Sequence, residues 1–241
     1  MSLISPLQRV IKKRSASFWI LFLGAVFIVV VGGLIYIDER KAVLQQSQTD
    51  REWSLIGRAI GPQDHTIGNI SAPIQVIVYS DFECQYCKLL FESQIPKLQT
   101  VFGNQIVFAY RHRVLTTEPA SEVEEEASEC VYQAGGNNAF WKFATAMFDQ
   151  SSSTNDRDMK VLTDIAVQAG VDPTNFATCM DVGAGKNRVA QDTLEASIAG
   201  IDQDPSFLLK SAHRALIVQG DYYSQIYSGI QYLLDTNKQI E

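Results

Sequence analysis

The pattern of apolar and polar positions divides the chain into three parts. Residues 18–37 hold no charged side chain across 20 positions. As a helix rising about 1.5 Å per residue, that run spans roughly 30 Å, one hydrocarbon core. Residues 38–60 are polar without a sustained period and read as a linker. From residue 61 onward two periods alternate. Residues 74–80 (Ile-Gln-Val-Ile-Val-Tyr-Ser) are mostly apolar and β-branched, which predicts a buried strand. Residues 88–102 carry a helical pattern with a kink expected at Pro96. Residues 106–110 predict a second strand. Little strand character follows over 118–199. Helices are predicted there over 120–134, stopped by Gly135-Gly136, over 139–148, over 158–169, stopped by Gly170, and over about 182–199, stopped by Gly200. Asp172-Pro173 reads as an N-cap followed by proline at the first helical position. The polar stretch 150–155 reads as a loop. Residues 207–210 and 215–218 read as strands around a short polar turn, and 222–234 as a closing helix. The order is β-α-β, a block of helices, then β-β-α: an α/β domain with a small mixed sheet once the block is removed.

Charge sets the orientation. Arg9, Lys12, Lys13 and Arg14 precede the apolar run, whereas Asp38, Glu39, Arg40 and Lys41 cancel after it. The positive-inside bias places the N-terminus in the cytoplasm and everything after Asp38 outside. Tyr36-Ile37-Asp38-Glu39-Arg40 is a poor cleavage site, so an uncleaved signal-anchor is expected rather than a removed signal peptide. The segments are then a basic tail (1–17), a transmembrane helix (18–37), a linker (38–60) and a folded domain (61–241). This is the plan of a single-pass protein of a bacterial inner membrane, its domain in the periplasm or outside the cell. A net charge of −7 and no basic patch beyond the tail argue against nucleic acid as a partner. Four cysteines, an even number, suit a compartment where disulfides persist.

The chemistry concentrates in Cys84-Gln85-Tyr86-Cys87, between the first strand and the helix after it. There, backbone N–H groups and the helix dipole favour a thiolate, the attacking species in disulfide exchange. Haem attachment would need His directly after the second Cys, and that residue is Lys88. A structural zinc site needs four ligands. His65, His112 and His213 are single and scattered, each read as a surface or hydrogen-bonded residue. No metal is expected; half a metal site and an inert buried pair are the alternatives to a redox pair.

These residues resemble the DsbA-like family of thioredoxin-fold thiol–disulfide oxidoreductases, as a membrane-anchored member with an all-helical insertion at about 118–199. The resemblance rests on Gly68-Asn69 through Ala72-Pro73 and on Ser80-Asp81-Phe82-Glu83-Cys84-Gln85-Tyr86-Cys87. It continues through Glu129-Cys130, Gly136, Phe140-Trp141, Met147-Phe148, Phe176 to Cys179, and Gly200-Ile201 with Pro205-Ser206-Phe207. It covers roughly residues 64–234. It implies that Cys84 is the exposed nucleophile, Cys87 the buried resolving thiol and Pro205 a cis-proline that positions a client backbone. It implies no cofactor beyond the cysteine pair. The partners would be reduced exported proteins and a membrane or periplasmic redox recycling partner. Oxidase is the expected direction; isomerase or reductase of the same fold is the alternative. A non-catalytic module holding a partner or metal is the alternative of another class.

Two departures modulate that expectation. Gln85-Tyr86 replaces the Pro-His or Pro-Tyr of better-known oxidants, and Gln85 cannot lend a positive charge to the thiolate. Asp204 stands before Pro205, where the family usually has Thr or Val. Near the sulfurs it would raise the Cys84 pKa and weaken the oxidant; pointing to solvent, it would do nothing. Cys130 and Cys179, two thiols of one subdomain in an oxidising compartment, are expected to form a structural disulfide, two buried free thiols being the other reading. Asp81 and Glu83 are candidates for a buried acid serving Cys87. The six glutamates between 118 and 129 read as a solvated helix face. Phe140, Trp141 and Phe143 read as core, and Tyr79, Phe82 and Tyr86 as the lining of a client groove.

Overall fold

A computed structural model describes residues 18–38, 40–41, 56–84, 86–114, 120–150, 158–220 and 223–240. The basic tail, most of the linker, Gln85 and nearly all of the stretch 150–155 lie outside them. Helix α1 (Phe18–Asp38) forms a unit of its own. It is exposed almost throughout, has a mean hydropathy of 2.8, and is long and apolar enough to cross a membrane.

The second unit is built on five strands: β1 (His65–Gly68), β2 (Ile74–Ser80), β3 (Ile106–His112), β4 (Ser206–Lys210) and β5 (Ala215–Gln219). Their order is β1-β3-β2-β4-β5. β2 and β3 run parallel, and the other neighbours are antiparallel. The strand period of two assigns the faces. Ile74, Val76 and Val78 pack with Phe207 and Leu209 against α3 (Ile95–Phe102) and α8 (Tyr223–Ile240). Ile77, Tyr79 and Leu208 face Ala196 of α7 (Lys186–Ile198). The helical insertion consists of α4 (Ser121–Gln150), α5 (Met159–Ala169), α6 (Pro173–Asp181) and α7, between β3 and β4.

The punctuation read from the sequence has physical counterparts. Gly136 breaks α4 with φ 71°. Asp158 caps α5 by accepting the Val161 amide, and Gly170 ends it in the left-handed region. Asp172 accepts the Thr174 and Asn175 amides at the start of α6, with Pro173 in its first turn. Pro96 makes no mid-helix kink. A π-helical turn (Leu90–Gln94) joins α2 (Cys87–Leu89) to α3 and leaves Pro96 in the first turn of α3, where its missing N–H costs little.

Three extents differ from expectation. β1 went unread because it is a four-residue edge strand. β3 runs two residues past Tyr110 because Arg111 and His112, although charged or polar, are fully buried with partners. α7 starts at Lys186 because Gly183 and Gly185 shape a turn where α4 passes closely: a Cβ on Gly185 would lie 2.9 Å from the Glu126 carbonyl oxygen and 2.8 Å from Glu129 Cβ. A disulfide Cys130–Cys179, with Cα atoms 5.6 Å apart, ties α4 to α6.

Arg111 organises the α7 side of the sheet. It donates to Asp64 Oδ1 at 3.1 Å and to Glu195 Oε1 at 2.5 Å. Arg58, Arg188 and Asp192 complete this network. Because the contact at Gly185 is with backbone, Gly185→Ala forces α7 and α4 apart. It is expected to destabilise the domain by about 1–3 kcal/mol, the usual range for overpacking. Urea denaturation checks this; a change under about 0.5 kcal/mol, an ordinary surface effect, contradicts the close approach.

Candidate active site

β2 ends at Ser80, and a tight turn delivers the cysteines. Asp81 O accepts the Cys84 amide at 3.0 Å, Asp81 Oδ1 accepts the Glu83 amide at 2.9 Å, and Cys84 O accepts the Cys87 amide at 3.1 Å. The Cys84–Cys87 disulfide is closed, its Cα atoms 5.4 Å apart, and Cys87 opens α2. Cys84 keeps 5% of its surface and Cys87 none. The order of access is as expected, but Cys84 is mostly covered rather than exposed. Ser80 Oγ donates to Cys87 Sγ at 3.0 Å. Tyr79 and Phe82 are fully buried and line no groove; Tyr86 and Leu89 are the exposed apolar residues beside the disulfide. Phe140 and Phe143 are core, and Trp141 donates its indole N–H to Thr66 O.

The Asp204-Pro205 peptide bond is cis and directly precedes β4. Pro205 O accepts the Gly220 amide at 2.8 Å. Asp204 does not point to solvent: its side chain is 4% exposed and ion-paired with Arg113. Burial pushes the Asp204 pKa up; Arg113 pulls it down, Asp81 adds to the rise, and the result is about 7. Sequence reasoning named Asp204 but missed Arg113, its counter-charge.

Beside the disulfide lies a buried polar chain. Asp81 is fully buried and accepts the Ser121 hydroxyl of α4. Of the two candidate acids Asp81 is fully buried, whereas Glu83 is half-buried as a residue with its Oε1 withdrawn from solvent. Glu125 Oε1 accepts the Phe82 amide at 2.9 Å and the Tyr110 hydroxyl at 3.0 Å. Glu125 Oε2 accepts His112 Nδ1–H. Glu129 Oε1 accepts from His112 Nε2 and from His65 Nε2, each at 2.7 Å. Burial opposes the charge on His112, but Glu125 and then Glu129 outweigh it and raise its pKa to about 10. Burial raises Glu125 to about 7 against the pull of His112, with Asp81 adding to the rise. Burial would raise Glu129 too, but hydrogen bonds from His112 and His65 carry it well below the carboxylate range.

The expected solvated glutamate face is therefore corrected: Glu124, Glu125, Glu126 and Glu129 are all buried. The histidines are not all scattered either. β1–β3 pairing sets His65 opposite Tyr110, two residues from His112. The available signal was Glu125 and Glu129 spaced one helical turn apart, which puts both on one face.

The fold and a Cys-x-x-Cys at the end of its central parallel strand define a thioredoxin-like protein with a helical insertion. The family described as Thioredoxin matches residues 61–222, well over half of the chain, and the chain belongs to that family. In fold it is similar to alpha-DsbA1 of Wolbachia pipientis (TM-score 0.64, 20% identity, 80% of this chain and 100% of that one). It is also similar to oxidised BdbD of Bacillus subtilis (TM-score 0.63, 20% identity, 76% and 98%) and to DsbA2 of Pseudomonas aeruginosa (TM-score 0.59, 22% identity, 72% and 96%). Among curated proteins it matches the Na(+)/H(+) antiporter NhaA 1 of Salinispora arenicola at 30% identity over 148 residues, 61% of this chain. The match spans only 22% of that relative's length.

Asp204 makes stability pH-dependent with a definite sign. The native state keeps this proton up to about pH 7, whereas the unfolded chain loses it near pH 4, about the ordinary carboxylate value. The cost of ionising Asp204 in the fold is therefore absent below about pH 4 and fully present above about pH 7. Relative to Asp204→Asn, the wild type should lose on the order of 4 kcal/mol of stability as pH rises through that window, about 1.4 kcal/mol for each unit of pH. Denaturant titrations of both proteins at several pH values measure this; parallel profiles contradict it.

Proposed function

We propose that this protein is a membrane-anchored thiol–disulfide oxidoreductase that donates disulfides to exported proteins through Cys84 and Cys87. The observation that carries the reading is the closed Cys84–Cys87 pair at the end of β2, with residual access at Cys84 alone. A client thiolate attacks Cys84 Sγ. The Cys84–Cys87 bond breaks, a Cys84–client bond forms, and Cys87 leaves as thiolate, held by the Ser80 hydroxyl. A second client thiolate then attacks the client sulfur of the mixed disulfide, and Cys84 leaves. Two electrons have passed from client to enzyme, and a membrane or periplasmic redox partner removes them. Pro205 is assigned to positioning the client backbone, and exposed Tyr86 and Leu89 offer it apolar surface. The apolar helix α1 supports anchoring, and the preceding basic residues support a domain outside the cytoplasm. The buried carboxylate of Asp204 favours a second direction, reduction or isomerisation, because it weakens thiolate stabilisation.

Cys84→Ser is expected to abolish oxidation of a reduced model substrate. Cys87→Ser, incubated with the disulfide form of that substrate, should accumulate a Cys84–substrate disulfide, because Cys84 displaces one substrate sulfur and no Cys87 thiol remains to release it; the adduct is visible on non-reducing gels and released by reductant. Turnover without Cys84 would sink the assignment.

The direction is read from the reduction potential of the full chain equilibrated with glutathione. Above about pH 7, where Asp204 is ionised, Asp204→Asn removes a negative charge and leaves Arg113 without its carboxylate partner; both changes favour the thiolate. The potential should rise by about 10–30 mV, where 30 mV corresponds to about 1.4 kcal/mol. An unchanged potential means that Asp204 does not act on the sulfurs.

A further inference from the structure

The cluster that α4 closes over β1 and β3 has the composition of a metal centre. His65 and His112 lie on the same face of paired strands and both direct Nε2 at one carboxylate oxygen, Glu129 Oε1, each at 2.7 Å. One ligand atom from each side chain can be chosen so that all three lie within 4.8 Å of one another. Both imidazoles are fully buried, and Glu129 is 4% exposed. The surroundings hold the rings still. His65 stacks on Phe140 at 3.7 Å between centroids and meets Tyr132 edge-on at 4.5 Å. His112 gives its other N–H to Glu125, the carboxylate–histidine arrangement that orients metal-binding imidazoles.

We propose that His65, His112 and Glu129 bind one zinc ion, which ties β1 and β3 to α4. Two imidazoles and one carboxylate are a known zinc set, with a fourth position left for water. The set suits a dication: the Glu129 carboxylate faces both imidazoles, and a second carboxyl, Glu125, stands behind His112. Arg188, the nearby cation, is already held by Asp64 and Asp192. On binding, His112 releases its Nε2 proton. The His65 proton moves to Nδ1, an atom without a hydrogen-bond partner among the described residues. Entry is from a cleft of about 340 Å³ lined by Glu129, Tyr132, Gln133, Asn187 and Arg188. The site is separate from the cysteine pair, and its success or failure is independent of the redox assignment.

The test uses the full chain in detergent with both disulfides closed, so that no thiolate is available. Chelator-stripped protein is loaded with zinc or cobalt(II), desalted and assayed for bound metal. About one zinc per chain is expected, with a higher melting temperature. Cobalt should give the visible bands of a four-coordinate nitrogen–oxygen site. His65→Gln and Glu129→Gln should each reduce retained zinc at least about tenfold, in line with loss of a ligand, and His213→Gln should not. No metal uptake by the wild type overturns the proposal and leaves a protonated His112 between two carboxylates. Zinc retained by folded His65→Gln, or lost in His213→Gln, also overturns it by placing the ion elsewhere. Where a ligand variant fails to fold, the wild-type cobalt spectrum decides, and absence of four-coordinate bands rejects the site.

Discussion

The docking of α4 through Glu125 is the interaction on which the redox site depends. A carboxylate removed from water costs several kcal/mol unless its oxygens are paired. Both oxygens of Glu125 are: one takes the Phe82 amide and the Tyr110 hydroxyl, the other takes His112. Sliding α4 by one turn would leave Glu125, Glu129 and His112 buried without these partners, so the helix has one register. That register brings Ser121 to Asp81, Cys130 to Cys179, Phe143 and Phe148 against Phe82, and Phe140 against Tyr110. Two residues after Phe82 comes Cys84, so the insertion holds the loop that carries the first sulfur.

Much of this was legible from local signals. A β-branched run before Cys-x-x-Cys, helix ends marked by Gly136, Gly170 and Asp172-Pro173, and two short strands near the end suffice to order the elements. Apart from the Cys130–Cys179 link, what stayed hidden was the pairing of polar residues between distant segments. β1 carries too few residues to show a period, yet it alone brings His65 to His112. The glutamate run reads as solvent-facing because composition reports charge and not partners. Tyr79 and Phe82 read as groove residues because sequence proximity to Cys84 says nothing about which face of a strand or turn they occupy.

The end of β3 shows how a single strand serves two sides. Successive residues point to opposite faces. Tyr110 and His112 turn to α4, and Arg111 turns to the α7 side, where Asp64 and Glu195 take its guanidinium. Replacing one member of such a buried network strands its partner, and the loss exceeds the net worth of the pair. The networks therefore contribute more to selecting one arrangement of α4 and α7 around the sheet than to net stability.

The same strand end governs the electrostatics of the cysteines. Three acids cluster near them, each from a different element: Asp81 after β2, Glu125 from α4 and Asp204 before β4. Burial raises Glu125 and Asp204, and Asp81 raises both further. Their opposing cations are neighbours in sequence, His112 for Glu125 and Arg113 for Asp204. The charge on two of these acids is thus balanced at residues 112 and 113, about 25 positions from the cysteines. Arguing oxidising strength from the two residues between the cysteines omits this balance. Gln85-Tyr86 carries no charge, so ionisable groups near the loop come from elsewhere in the fold, and Asp204, held near neutral pH between burial and Arg113, is one whose charge changes in the physiological range.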